Sequence, residues 1–177
     1  MNDVLVVIDM QNDFITGSLG TAEGQAIVSQ VVDRIRHHQG AIFVTRDTHE
    51  DDYLTRQEGH HLPVVHCTRG SEGWQLVSEV ALALAGREVT FFDKPTFGSP
   101  DLAQALKEAD QERRLTSVTL VGVCTDICVI SNALVIKAFL PEVPLYVDAK
   151  ACAGVNPESH QRALEAMAVC QVNILHA

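Results

Sequence analysis

The sequence predicts an α/β fold: a three-layer αβα sandwich built on a mostly parallel sheet of about six strands. Two observations predict it. Short runs that are apolar on both faces recur along the chain, and amphipathic segments of helical period separate them. Strands without a polar face must be covered on both sides, as in a parallel sheet between two helical layers. Right-handed crossovers then give the sandwich. The 177 residues contain no internal repeat or linker-like tract. One domain over 1–177 is expected, large enough to bury a core without staples.

Taken in order, Val4–Ile8, Ala41–Thr45, Val89–Phe92, Val118–Val123, Leu145–Val147 and Val172–Leu175 read as strands. Ala22–His37, Leu76–Leu84, Asp101–Glu112, Cys128–Phe139 and Pro157–Ala168 read as helices. In the first, Ile27, Val28, Val31, Val32 and Ile35 recur at helical spacing. Asp101 after Pro100 and Asn156 before Pro157 are the expected N-caps. The segment Asp47 to Gly73 differs: it is polar, rich in histidine and aperiodic. A connection of that length in a compact domain is functional or disordered, and its residues favour function.

A formal charge of −10 argues against nucleic acid or an anionic membrane as partner, since both reward a basic face. No stretch has the length of a membrane span. The apolar run near the N-terminus, Val4 to Ile8, is too short for the hydrophobic part of a secretory leader. Five cysteines, an odd number, then suggest free thiols in a reducing cytoplasm rather than a disulfide framework.

In an open parallel sheet, ligands bind beyond the carboxyl ends of the strands. Asp9 ends the first strand, Asp47 the second, Asp93 and Lys94 the third, and Cys124 to Cys128 follow the fourth. An acid, a cation and a thiol therefore converge on one sheet edge. Singly, each has an ordinary reading as a turn aspartate, a loop lysine or a small buried hydrophobe. Together they suit covalent catalysis. Cys128 sits where a strand passes into a helix, and helix N-terminal N–H groups and dipole favour a thiolate there. Lys94 adds positive charge, and Asp9 can accept the thiol proton and later return it to a leaving amine.

The polar segment holds a second constellation. Asp47-Thr-His49 sets a carboxylate and an imidazole two residues apart, on one face of extended backbone, and His66 follows. A carboxylate with two imidazoles suits Zn²⁺, or Fe²⁺ or Mn²⁺, although Asp-x-His alone is a common surface pattern. Phe14, Trp74 and Phe97 are candidates to stack on an aromatic ring, with core packing the ordinary alternative for Phe14 and Phe97. Gln11 and Asp13 read as residues that order the loop after the first strand, and Cys67 as a half-buried free thiol. Cys152 and Cys170 read as core. Cys124 and Cys128 are four apart, unlike a Cys-x-x-Cys redox pair.

Val-Val-Ile-Asp-Met-Gln-Asn-Asp-Phe (6–14), Asp-Lys-Pro-Thr-Phe-Gly-Ser (93–99) and Gly-Val-Cys-Thr-Asp-Ile-Cys-Val (122–129) resemble the three signature regions of the isochorismatase-like cysteine hydrolases. That superfamily includes nicotinamidases and N-carbamoyl amidohydrolases. The resemblance implies a triad of Asp9, Lys94 and Cys128 and a thioester intermediate. It also implies an oxyanion hole from the N–H groups of Cys124 and Cys128, beside a cis peptide at Val123–Cys124. It further implies a metal held by Asp47, His49 and His66, with a fourth ligand among Glu58, His60 and His61, of which Glu58 is favoured. Pro63-Val-Val-His66 is one residue longer than the Pro-x-His of nicotinamidases. The implied activity is hydrolysis of a small amide, nicotinamide to nicotinate and ammonia, with a divalent metal orienting the substrate. A metal-free N-carbamoyl amidohydrolase is the alternative of the same fold, and an inert αβα scaffold subunit the alternative of another class. Homo-oligomers are expected by the same resemblance.

Overall fold

In the computed structural model, which describes residues 2–177, six parallel strands form one sheet. They are β1 (Asp3–Ile8), β2 (Ala41–Asp47), β3 (Val89–Lys94), β4 (Ser117–Val123), β5 (Leu145–Ala153) and β6 (Asn173–Leu175), in the order β3-β2-β1-β4-β5-β6. The connections carry α1 (Asn12–Ile15), α2 (Ala22–Ala26), α3 (Val28–His37), α4 (Gln57–His61), α5 (Ser78–Leu84), α6 (Pro100–Arg113), α7 (Ile130–Phe139) and α8 (Pro157–Val169). The strand order reverses between β1 and β4, and the crevice at such a reversal is where open α/β sheets bind ligands.

Alternation along the strands divides the core in two. Val4, Val6 and Ile8 of β1 join Leu102 and Leu106 of α6, Ile136 of α7 and Met167 of α8 on one face. Leu5 and Val7 join Val31 and Ile35 of α3 and Val80 and Leu84 of α5 on the other. Both faces are therefore covered, which is why these strands carry unbroken apolar runs.

Several boundaries differ from expectation for local reasons. The first helix is two, α2 and α3, separated at Ile27 (φ −91°, ψ −8°). Thr21 caps α2 by accepting the Gly24 N–H at 2.9 Å. Ser99, not Asp101, caps α6: its hydroxyl accepts the Leu102 N–H at 3.1 Å, and Pro100 takes the first helical position, where no N–H is needed. Asn156 caps α8 in a full capping box with Ser159. β5 runs on to Ala153 because a bulge lies opposite β4: Leu120 pairs with Val147 but Gly122 with Cys152. Cys170 is exposed at the end of α8, not part of the core, and Cys67 is fully buried.

The polar segment is ordered by the loop after β1. The Gln11 carboxamide, fully buried, accepts from Asp47 N at 2.7 Å and donates to Asp47 O at 2.8 Å and Trp74 O at 3.0 Å. Asp13 Oδ2 accepts the Cys67 N–H at 2.7 Å. Within the segment lie a 3₁₀ turn (Tyr53–Thr55) and α4, and His49 pairs with Thr68 as an isolated bridge.

Candidate active site

The carboxyl ends of the central strands deliver three side chains to one point. Asp9 follows β1 with φ 50°, Lys94 closes β3, and Cys128 lies in a wide π-helical turn, Thr125–Val129, that precedes α7. The thiol is thus presented by the turn rather than by the first turn of the α-helix itself. π-turns of this kind recur at functional sites, where they reposition a side chain. At the end of β4, Gly122 has φ +120°, and a Cβ there would stand 2.1 Å from Ile8 O. Only glycine lets β4 run this close to β1 just before the turn. The Val123–Cys124 peptide is cis.

Lys94 Nζ lies 2.7 Å from Asp9 Oδ2, 3.4 Å from Cys128 Sγ and 3.5 Å from Asp47 Oδ1. The Lys94–Asp9 contact is an ion pair whose geometry is out of line for a hydrogen bond at Oδ2. Thr45 donates to the other oxygen, Oδ1, at 2.7 Å. Asp9, Lys94 and Cys128 are 0%, 1% and 5% exposed, so they interact with little solvent screening. Burial alone would lower the Lys94 pKa, but Asp9, Cys128 and Asp47 raise it, and the ammonium stays charged. Burial raises the Asp9 pKa, with Lys94 opposing. Burial also pushes the Cys128 thiol well above the ordinary thiol range, and the attraction of Lys94 does not offset it. Burial and the charge of Lys94 thus act on the Cys128 thiol in opposite directions.

Asp47 joins this cluster to the second one. One oxygen faces Lys94, while Oδ2 lies 2.9 Å from His49 Nε2 and 3.4 Å from His66 Nε2. Glu58 Oε1 is 3.7 Å from His49 Nε2 and 3.8 Å from His66 Nε2. Among the described residues these four offer ligand atoms all within 4.8 Å of one another. Tetrahedral zinc at about 2.0–2.1 Å from N and O donors implies donor spacings of about 3.3 Å, and the four span that range. His49 Nε2 is buried without an aligned hydrogen-bond partner, and the Asp47 contact at 2.9 Å is out of line for one. An orphaned imidazole nitrogen facing two carboxylates fits a metal ligand. His66 Nδ1 meets Val64 O at 2.7 Å, which leaves Nε2 to face the cluster. Glu58 completes the group; His60 and His61 are exposed and stand outside it, as does Cys67.

The aromatic candidates separate. Phe97, 45% exposed, lines a cleft of about 770 Å³ together with Pro95, Thr96, His49, Glu58 and Tyr53. Phe14 packs edge-on to His66, ring centroids 5.6 Å apart, beside the metal-type cluster. Trp74 does not line the cleft. Its indole Nε1–H donates to Thr48 Oγ1 at 2.8 Å, and the Arg46 guanidinium stacks 3.9 Å from its ring centre. Strand alternation turns Arg46 away from Thr45 and Asp47, and a cation–π contact holds the indole there.

Sequence reasoning missed Tyr53 and Thr45. Tyr53 is 2% exposed, and its ring lies 4.5 Å from His49 and 5.0 Å from His66, centroid to centroid. It sits in an aperiodic segment, where no pattern marks burial. A threonine in a β-branched strand gives no sign of its carboxylate partner.

The fold and the converging acid, cation and thiol define a class. Residues 3–177 match the model of the isochorismatase domain, and the chain belongs to that family. An uncharacterised isochorismatase family protein of Bacillus subtilis is 28% identical over 178 residues, covering 93% of each chain. Among solved structures, the pyrazinamidase/nicotinamidase of Streptococcus mutans superposes with a TM-score of 0.83 at 28% identity, over 98% of this chain and 99% of that one. The pyrazinamidase of Pyrococcus horikoshii in complex with zinc gives 0.79 at 26% identity, over the whole of both chains.

Proposed function

We propose that this chain is a metal-assisted cysteine amidase that hydrolyses nicotinamide to nicotinate and ammonia. The observation that carries the reading is the sharing of Asp47: the carboxylate that faces Lys94 also faces His49 and His66, so the thiol cluster abuts a metal-type cluster. Relatives that are nicotinamidases and pyrazinamidases over their full length support it, one of them solved with zinc.

Asp9 takes the Cys128 proton as the sulfur attacks the carboxamide carbon; its raised pKa suits a base in a buried site. The C–S bond forms, and the carbonyl electron pair moves to oxygen, stabilised by the N–H groups of Cys124 and Cys128. When the oxygen pair returns, the C–N bond breaks, and Asp9 delivers its proton to the departing nitrogen, releasing ammonia. Water, deprotonated by Asp9, then adds to the thioester; the C–S bond breaks, and the sulfur recovers a proton as the carboxylate leaves. Lys94 stays charged throughout and holds Asp9 and Cys128 together. Asp47, His49, Glu58 and His66 would hold a divalent metal, zinc by the donor set, that supplies a Lewis-acid anchor for the pyridine nitrogen. Tyr53, Phe14 and Phe97 exclude water from the ring. We place the reaction in a reducing compartment, which the five free thiols support.

Ammonia release from nicotinamide, measured before and after chelation, tests this directly. Chelated protein is expected to show a KM at least about tenfold higher, the loss of one anchoring interaction, restored by added zinc. Turnover indifferent to chelation, or a preference for ureido substrates in a side-by-side amide panel, would assign the site to a metal-free amidohydrolase.

A further inference from the structure

We infer that Asn132 is a positioning residue that sets the width of the substrate cleft by clamping the Phe97 loop to the element bearing the nucleophile. Asn132 lies in α7, one helical turn after Cys128, and is fully buried. Its Nδ2 donates to Cys128 O at 2.8 Å and to Phe97 O at 3.0 Å, and its Oδ1 accepts the Ser99 N–H at 3.0 Å. Two carbonyls need donors and one N–H needs an acceptor, so the partners determine which way the carboxamide faces. Both amide hydrogens are used.

One side chain thus spans two segments some thirty residues apart: the turn that presents the thiol, and the loop between Lys94 and α6 that carries Phe97. The loop lies tightly against α7 at the same place. A Cβ on Gly98 would stand 3.1 Å from Val135 Cγ2 and 3.2 Å from Ser131 O. Ser99, held by its N–H, is also the cap of α6, so the clamp seats that helix start. Phe97 itself stands half-exposed in the cleft, so its ring is held by less packing than a core side chain. Its position relative to Cys128 therefore depends on its backbone, and Asn132 ties that backbone to the turn that presents the thiol.

The inference rests on the amidase reading for its substrate but not for the clamp, and the test separates the two. In Asn132→Thr the hydroxyl can still donate to Cys128 O one turn back, but it cannot reach both Phe97 O and Ser99 N. The KM for nicotinamide is expected to rise about five- to tenfold, the scale of one aromatic contact, with kcat little changed. Amide hydrogen exchange in residues 96–102 is expected to accelerate. Phe97→Ala, which removes an exposed ring, is expected to raise KM similarly and to leave little further effect for Asn132→Thr in the double variant. An unchanged KM in Phe97→Ala, or a loss in kcat alone in Asn132→Thr, overturns the role in specificity. Unchanged exchange in 96–102 overturns the clamp, whatever the substrate. Wild-type protein that releases no ammonia in the same assay would count against the amidase reading, while the exchange result still decides the clamp.

Discussion

Replacing Cys128 with alanine is expected to lower ammonia release from nicotinamide by at least about 10⁴-fold, the scale seen when a catalytic nucleophile is removed. The fold should survive, because the change deletes one sulfur and leaves the Lys94–Asp9 ion pair and the surrounding core in place. The size of the loss follows from the surroundings of the thiol. Lys94, Asp9 and Asp47 offer no second nucleophile: two are carboxylates engaged with the ammonium, and the third is that ammonium. Substrate would still bind against the cleft in the variant, so nicotinamide affinity should be retained while turnover disappears. Residual turnover within a hundredfold of wild type would remove Cys128 from the chemistry.

Lys94→Met is expected to cost about 3–5 kcal/mol of folding stability, the range for removing one partner from a buried ionic cluster. Lys94 is the cation that faces Asp9, Asp47 and Cys128 at once, and it is 1% exposed. Without it two carboxylates face each other in the interior. The loss should depend on pH in a defined direction. The Asp9 pKa already stands above its ordinary value through burial, and Lys94 is what holds it down. Removing Lys94 raises it further in the folded state than in the unfolded one. Protonated Asp9 is then tolerated at low pH, and stability falls as pH rises through the folded pKa. Denaturant midpoints of wild type and Lys94→Met should therefore diverge more at pH 8 than at pH 5. Equal midpoints, or a gap that widens toward acid, would mean that Lys94 does not compensate the carboxylates.

How much of this was legible in the sequence depends on what each part needs. The sheet was readable because both of its faces are covered, so the strands carry uninterrupted apolar runs flanked by helical periodicity. The convergence of Asp9, Lys94 and Cys128 followed from one topological rule, that the carboxyl ends of parallel strands share an edge. The metal-type residues followed from residue chemistry: Asp47, His49 and His66 by spacing, Glu58 by resemblance. What the sequence hid depends on packing. The burial of Cys128, which works on its thiol against the charge of Lys94, is invisible without the fold. Trp74 was drawn away from the cleft by Arg46, a partner set by strand alternation and a distant loop. Tyr53, Thr45 and Asn132 look ordinary in their segments, and their roles exist only as contacts across the chain. Ser99 rather than Asp101 as the cap of α6 is a matter of one residue, beyond what a Pro-Asp pair resolves.

The central claim is that Cys128 carries the acyl group during turnover, and trapping with hydroxylamine tests it most directly. Hydroxylamine competes with water for a thioester. Wild-type protein given nicotinamide and hydroxylamine should release ammonia and divide the acyl group between nicotinate and its hydroxamate, with more hydroxamate as hydroxylamine increases. Cys128→Ala under the same conditions should form neither. Nicotinate with no hydroxamate from the wild type, or hydroxamate from Cys128→Ala at the wild-type rate, would contradict a thioester on Cys128.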